Sequence, residues 1–239
     1  MRAVAGLEFI ARCAETGDLT ARIADFRRTI RAFGFTASAC AAWAGAGKSR
    51  STRFFFRDWP ADWLERYASE GCLDHDFVVV EARRRLAPFG WADILSERRL
   101  TCQEAKIHDA ALRYGWADLF AVPIHGPAGY CGLVTMAARS HHPLPPADRA
   151  ALQMMATAIH EQCRSAVGFG NLDASAVRLT RREAECLQWV GGGKTDWEIA
   201  QLLGVTAATV HFHIERAKKK LDTRTRAQAV ALAMLRGFF

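Results

Sequence analysis

The sequence lacks any long hydrophobic run. In its 239 residues the longest apolar stretches, such as 40–45 and 119–124, are far shorter than the ~20 residues that cross a bilayer. Glu8 and Arg12 interrupt the N-terminal segment before the apolar core of a signal peptide can form. Half of the residues are hydrophobic and 24% are charged, which is a globular composition. These features predict a soluble protein that is not exported, and they exclude collagen-like, coiled-coil and wholly disordered chains.

The sequence also lacks the patterns that metal, phosphate and catalytic sites need. None of its seven cysteines forms a CxxC pair, and His141-His142 has no carboxylate or cysteine at ligand spacing. The segment 191–195 lacks the first glycine of a phosphate-binding loop, and it follows a predicted helix rather than a strand. No serine or cysteine has a recognisable catalytic motif around it. We therefore expect reduced thiols, no metal, no cofactor and no enzymatic activity.

Helical and strand-like segments alternate through the first 167 residues. Three segments have helical periodicity or start signals: 19–33, which ends before Gly34, 101–114, which opens with a Thr101/Glu104 capping box, and a helix that opens at Pro145-Pro146. Two pairs of strand-like segments each flank a glycine-containing turn: 35–43 with 51–57, and 119–125 with 130–138. This order predicts an α+β fold in residues 1–167, an α/β/α sandwich with an antiparallel sheet. Residues 168–178 are predicted to form a linker.

Most of the basic excess lies in the last quarter of the chain. Residues 178–239 carry 11 Lys or Arg against 6 Asp or Glu, whereas residues 1–177 carry 21 against 19. A cluster of positive charge in one small region indicates a polyanionic partner there.

Residues 179–239 contain closely spaced helix-start signals. They are the capping boxes Thr180/Glu183 and Thr195/Glu198 and the N-cap Thr206. Helices over 196–203 and 207–221 are joined only by 204–206, which is the spacing of a helix-turn-helix. We therefore predict an all-α helix-turn-helix bundle over 179–239.

The helix over 207–221 is the predicted recognition helix. Val210, Ile214, Ala217 and Leu221 share one apolar face, which turns the opposite face toward the major groove. The residues predicted to contact double-stranded DNA are Arg181, Lys194, Thr195, Thr206, Ala208, Thr209, His211, Phe212, Glu215, Lys219 and Lys220. The alternatives are that the lysines form a solvated face of an ordinary bundle, and that Glu215 only pairs with Lys219 four residues on.

This region resembles the C-terminal DNA-binding domain of the LuxR family over about sixty residues. The matching positions are Leu179, Thr180, Arg182, Glu183, Leu187, Gly193, Lys194, Thr195, Glu198, Ile199, Ala200, Leu203, Thr209, Val210, His213, Lys220, Leu221 and Ala229. One departure is Thr225, which stands before Arg226 where the family usually has Asn.

The N-terminal region concentrates aromatic residues around one carboxylate. Trp59, Trp63, Tyr67, Asp76 and Trp91 lie within 33 residues. Indole and phenol donors, a carboxylate acceptor and aromatic walls suit a neutral amphiphile with an amide N–H and several carbonyls. The alternative is that both Trp63 and Trp91 are core residues and Asp76 is a helix cap.

The order and spacing of these residues resemble the acyl-homoserine lactone-binding domain of LuxR-type quorum-sensing regulators. The resemblance implies that Trp63 donates to the lactone carbonyl and that Asp76 accepts the ligand amide N–H. It also implies that Tyr67 and Trp91 form walls and that Thr135 lies near the ligand carbonyl. The predicted ligand-binding residues are Trp59, Trp63, Tyr67, Asp76, Phe77, Trp91, Leu119 and Thr135.

Three of these residues depart from the family pattern. Trp59 replaces a common Tyr, Phe77 replaces the usual Pro, and Leu119 replaces a common Gly. The added bulk favours a short, branched or aryl group on an N-acyl or N-aryl homoserine lactone over a long straight chain, unless the pocket compensates elsewhere.

The two resemblances together predict a cytoplasmic, ligand-responsive transcription regulator. It would bind a homoserine lactone signal and, as a homodimer, a pseudo-palindromic promoter site, with RNA polymerase as a further partner and no membrane. The alternative keeps the DNA-binding region but makes the sandwich a ligand-free dimerisation module or a sensor of a different small molecule.

Overall fold

The computed structural model describes residues 2–15, 17–44, 51–69, 75–141, 143–169 and 178–239, which form two compact units. We call them the N-terminal unit (to residue 169, without 127–129) and the C-terminal unit (from residue 178). Of the predicted linker, residues 170–177 lie outside the described residues. Residues 45–47 of the glycine-containing turn predicted between the first two strand-like segments, and His142 of the histidine pair, also lie outside them.

The N-terminal unit contains helices and strands in alternation along the chain. In order they are α1 (Arg2–Ala14), α2 (Leu19–Arg31), β1 (Ala37–Ala44), β2 (Ser51–Arg57), α3 (Ala61–Ser69), α4 (Phe77–Ala82), β3 (Phe89–Gly90), α5 (Trp91–Glu97), α6 (Cys102–Arg113), β4 (Asp118–His125), β5 (Cys131–Ala138) and α7 (Pro146–Val167). The predicted helices and hairpins are confirmed to within a few residues. The capping box at Thr101 and Glu104 forms as the sequence predicts.

The strands form one antiparallel sheet in the order β2-β1-β5-β4-β3. In the centre of the sheet, Ala39 lies opposite Thr135 and Trp43 lies opposite Cys131. Because side chains alternate along a strand, residues 37, 39, 41 and 43 of β1 point to the same face as Thr135 and Cys131 of β5.

Helices cover both faces of this sheet. One face packs against α1, α2 and α7 through large apolar side chains, including Phe9, Phe26 and Met155. The other face carries Ala37 and Ala41 and packs against α3, α4, α5 and α6. The predicted α/β/α sandwich is confirmed.

The C-terminal unit is an all-α bundle. Its helices are α8 (Arg181–Gly191), α9 (Asp196–Leu203), α10 (Ala207–Leu221) and α11 (Arg226–Leu235). The bounds predicted for α9 and α10 are confirmed, and Gly204 ends α9 with φ at +65° in the left-handed region. Thr225 is the N-cap of α11, in a capping box with Gln228, so the residue that departs from the family pattern still performs a capping role.

Candidate functional site

A cavity lies between the small-residue face of the sheet and helices α3 to α6. Its lining includes every one of the eight residues predicted from the sequence: Trp59, Trp63, Tyr67, Asp76, Phe77, Trp91, Leu119 and Thr135. Alanines at positions 39, 41, 111 and 137 line it as well. Since alanine side chains are small, they leave room between the sheet and the aromatic residues of the covering helices.

Asp76 joins the cavity wall to the start of α4. Its Oδ1 accepts the Val78 N–H at 2.8 Å as the N-cap of α4, and its Oδ2 accepts the Tyr67 hydroxyl at 2.8 Å. Burial raises the pKa of Asp76, although the bonds from Tyr67 and from backbone amides oppose this shift. A carboxylate has about four lone-pair positions, and Tyr67, Val78 and Val79 leave one for another donor. Asp76 is therefore both a helix cap and a cavity acceptor, and the two readings of the sequence are compatible.

Four indole N–H groups at the cavity have no hydrogen-bond acceptor in the described part of the chain. They belong to Trp43, Trp59, Trp63 and Trp91. An unpaired buried donor costs ~1–3 kcal/mol, so an arrangement with several of them is suited to a ligand that brings acceptor oxygens.

Further aromatic side chains that the sequence analysis missed complete the wall. Trp116 packs on Trp63 and Trp59, with ring centroids 5.3 and 5.8 Å apart. His108 meets Trp91 edge to face at 4.7 Å, and burial lowers the pKa of His108. Strand alternation alone could have identified Trp43, because it shares the face of Ala39 and Ala41.

An ion-pair network ties together the helices that cover the cavity. Arg98, which follows α5, donates two hydrogen bonds to Glu104 of α6 at 2.8 and 2.9 Å and one to Glu81 of α4 at 3.2 Å. Arg85 also donates to Glu81, at 3.0 Å. The bonds from Arg98 lower the pKa of Glu104 to about 2, against the effect of its burial. The cavity-lining helices α4 and α6 are thus held by the same guanidinium.

In the C-terminal unit, α10 turns its predicted apolar face inward. Val210, Ile214, Ala217 and Leu221 are buried, whereas Phe212 keeps 54% of its surface exposed. On the same exposed face, His211 Nδ1 lies 3.1 Å from Arg226 and 3.5 Å from Asp196. Glu215 accepts from Lys218 at 2.8 Å, three residues on, and not from Lys219 as the alternative reading expected.

The remaining predicted DNA contacts fall into three groups. Thr195 and Thr206 are the N-caps of α9 and α10, and the hydroxyl of Thr206 lies 2.8 Å from that of Thr209. Three further residues are exposed. Arg181 lies at the start of α8 and pairs with Glu185, and Lys194 lies in the turn before α9 and pairs with Glu198. Ala208 lies in the first turn of α10. Lys219 is also exposed.

Lys220 occupies a different environment from the other lysines of α10. Its Nζ lies 2.6 Å from Oε2 of Glu183, a side chain that is only 1% exposed, and it also donates to the Arg178 carbonyl at 3.1 Å. This internal ion pair holds α10 against α8. Lys220 therefore has a structural role in the bundle, and its contact with a DNA phosphate stays a prediction.

Two family models match the chain. The autoinducer-binding domain matches residues 18–163, and the bacterial regulatory proteins of the luxR family match residues 177–233. In the described part of the chain no group of histidines, cysteines or carboxylates has the arrangement of a metal site. Nor is any described helix long and apolar enough to cross a membrane.

Individual proteins show similarity over most of the chain. The quorum sensing-dependent transcriptional regulator RpaR of Rhodopseudomonas palustris is 32% identical over 97% of this chain and 93% of its own length. The transcriptional activator LuxR of Aliivibrio fischeri is 26% identical over 75% of this chain and 72% of its own. The crystal structure of SdiA from Escherichia coli shares the fold with a TM-score of 0.68 at 18% identity, and it covers 97% of this chain and 96% of that one.

Proposed function

The chain belongs to the LuxR family of quorum-sensing transcriptional regulators, and from that premise we propose that it binds a homoserine lactone and, as a homodimer, a pseudo-palindromic DNA site. Its family and relatives are regulators and not enzymes. We propose the cytoplasm as its location and RNA polymerase as a further partner.

The polar groups near Asp76 match the head group of a homoserine lactone, and this observation carries the proposal. That head group has one amide N–H donor and three acceptors, which are the lactone carbonyl, the ring oxygen and the amide carbonyl. The cavity offers the remaining lone-pair position of Asp76 and the unpaired indole N–H groups of Trp59, Trp63 and Trp91. In this assignment Trp63 donates to the lactone carbonyl, Asp76 accepts the amide N–H, and Thr135 lies near the amide carbonyl.

The bulk of the wall supports a compact acyl group. Trp59, Phe77 and Leu119, which are larger or more apolar than the residues common in the family, all line the cavity. We propose that the ligand carries a short, branched or aryl group rather than a long straight chain.

The C-terminal unit supports sequence-specific DNA binding by α10. We propose that His211, Phe212 and Glu215 face base edges and that Lys219 and Arg181 face phosphates. In the homodimer, formed through the N-terminal unit, two such helices read two half-sites. A ligand that binds only the folded dimer stabilises folding and dimerisation together, which couples the signal to DNA binding.

Mass spectrometry of an organic extract tests the ligand assignment. The protein is expressed with a panel of short-chain, branched and aryl homoserine lactones, purified and extracted, with Asp76→Asn as the matched control. We expect one lactone to co-purify in near-stoichiometric amount with the wild type and to be depleted in the variant. Wild-type protein that binds DNA tightly without any lactone would instead favour a ligand-free dimerisation module.

A further inference from the structure

Trp43 places an unpaired donor at the end of the cavity remote from Asp76. Its side chain is 2% exposed, it lines the cavity, and its Nε1 has no acceptor among the described residues. The neighbouring polar groups do not supply an acceptor: the Cys131 thiol points to the Ala82 carbonyl at 3.7 Å, and the Arg83 guanidinium lies over the Trp43 ring at 5.7 Å from its centroid.

Two features of the backbone separate Trp43, one from Thr135 and the other from Asp76. Along β1, Trp43 lies four residues beyond Ala39, which is the residue opposite Thr135, and four residues of strand span about 13 Å. Along α4, Asp76 is the N-cap and Arg83 the C-cap, so about 10 Å of helix separates them. We call the region of Asp76, Tyr67 and Trp63 the head end and the region of Trp43 the far end.

The walls between these two ends are apolar. They include Ala41 and Leu133 on the sheet and Phe54 beside them. A ligand anchored at the head end therefore meets an apolar passage followed by the Trp43 N–H donor. An acyl group matches this cavity when the part next to the amide is apolar and an acceptor oxygen lies beyond that apolar part, at the far end.

We propose that the ligand of this cavity carries an acceptor oxygen on the distal part of its acyl group and that the Trp43 N–H binds this oxygen. The proposal rests on the assignment of a homoserine lactone to the head end, and it narrows the acyl group to an aryl or similarly compact group that bears a hydroxyl or carbonyl. Trp43 is then a specificity-determining residue that distinguishes ligands sharing the same head group.

Two matched pairs of probes test the proposal by calorimetric titration of the full-length protein. The pairs are phenylacetyl- and 3-phenylpropanoyl-homoserine lactone, each with and without a 4-hydroxyl on the ring. In at least one pair we expect the hydroxylated probe to bind the wild type about 5- to 150-fold more tightly, since pairing a buried donor is worth that much. Equal affinity within both pairs would overturn the proposal without any variant being needed.

Trp43→Phe and Trp63→Phe then locate the effect. The Trp43 variant should lose the advantage of the hydroxyl, so that both members of a pair bind it with similar affinity, and its thermal unfolding reports that it is folded. The Trp63 variant should weaken both members of a pair by a similar factor, because it removes a head-end donor that they share. A hydroxyl advantage that persists in Trp43→Phe would overturn the inference alone, whereas wild-type protein that binds none of the four probes would overturn the inference, and one that binds no member of the wider panel of lactones would contradict the proposed function as well.

Discussion

At the scale of single residues, the cavity is built from side chains that also stabilise the fold. Asp76 caps α4 and holds the Tyr67 hydroxyl, and Trp63 packs between Trp59, Tyr67 and Trp116. The spacing of these residues was recognisable because it resembles a known family. His108 was missed because its position at the cavity depends on helix packing, which local spacing does not encode, whereas strand alternation could have placed Trp43 on the face of Ala39 and Ala41.

Asp76→Asn separates the proposed binding role of this residue from its capping role. Asn retains an oxygen for the Val78 N–H, so the cap persists, but it replaces a charged acceptor with a donor. We expect signal binding to weaken about tenfold or more, because the ligand amide loses its acceptor. Titration with ligand measures this, and thermal unfolding checks that α4 is intact. Wild-type affinity in this variant would show that the carboxylate does not bind the ligand.

Lys219 and Lys220 are adjacent in sequence, yet the structure predicts opposite effects of removing them. Lys219→Ala should weaken binding to all DNA sequences alike and reduce the slope of log affinity against log salt by about one. Lys220→Ala should instead lower the free energy of unfolding by ~1–3 kcal/mol, because Glu183 is left buried without its closest cation. DNA titration at several salt concentrations and urea unfolding distinguish them. If Lys220→Ala had the same salt dependence of DNA affinity and the same free energy of unfolding as Lys219→Ala, the structural role assigned to Lys220 would be contradicted.

At the scale of elements, sequence signals defined the helices that carry their own start and stop residues. The bounds of α9 and α10 follow from Thr195, Thr206 and Gly204. The short helices α3, α4 and α5 were not predicted as helices, since six to nine residues give little periodicity and are marginal without tertiary packing. These are the elements that cover the cavity, which is why its wall was harder to predict than the DNA-binding helices.

The network around Arg98 predicts a pH-dependent contribution to the stability of this helical cover. Glu104 has a pKa of about 2 in the folded protein against 4.5 ordinarily, so its stabilising contribution is present above pH 4.5 and is lost as the pH falls toward 2. Glu104→Gln keeps the capping box but removes the charge. We expect the variant to be less stable than the wild type at pH 7, with the difference shrinking below pH 4.5, as measured by urea unfolding.

Glu97→Gln is the matched control for this measurement. Glu97 pairs with Arg85 but is 58% exposed, and exposed ion pairs contribute little. The free energy of unfolding of Glu97→Gln should therefore stay close to that of the wild type across the same pH range. A difference between Glu104→Gln and wild type that does not change with pH would show that packing, and not the charge, accounts for the role of Glu104.

At the scale of the whole molecule, the basic charge and the aromatic cavity lie in different units of the chain. The basic excess lies in residues 178–239, and the aromatic cavity lies in the N-terminal unit. This division was predictable from the sequence, because each unit has its own periodicity and its own motif. The proposed coupling between the units was not predictable in the same way, since the proposal makes it depend on dimer formation and on how the ligand shifts it.

The spacing of the DNA half-sites tests whether a symmetric dimer reads the DNA. Two α10 helices in successive major grooves require half-sites about 10 bp apart, centre to centre. Inserting about 5 bp places the half-sites on opposite faces of the duplex, so one dimer cannot reach both without twisting the DNA or itself. We expect the lengthened site to lose most of its affinity in a gel-shift titration at fixed salt, while an insertion of about 10 bp, which restores the face, recovers part of it. Full affinity for the site with the 5 bp insertion would mean that each half-site is bound independently, because only subunits that are not joined in a dimer can bind half-sites on opposite faces of the duplex equally well.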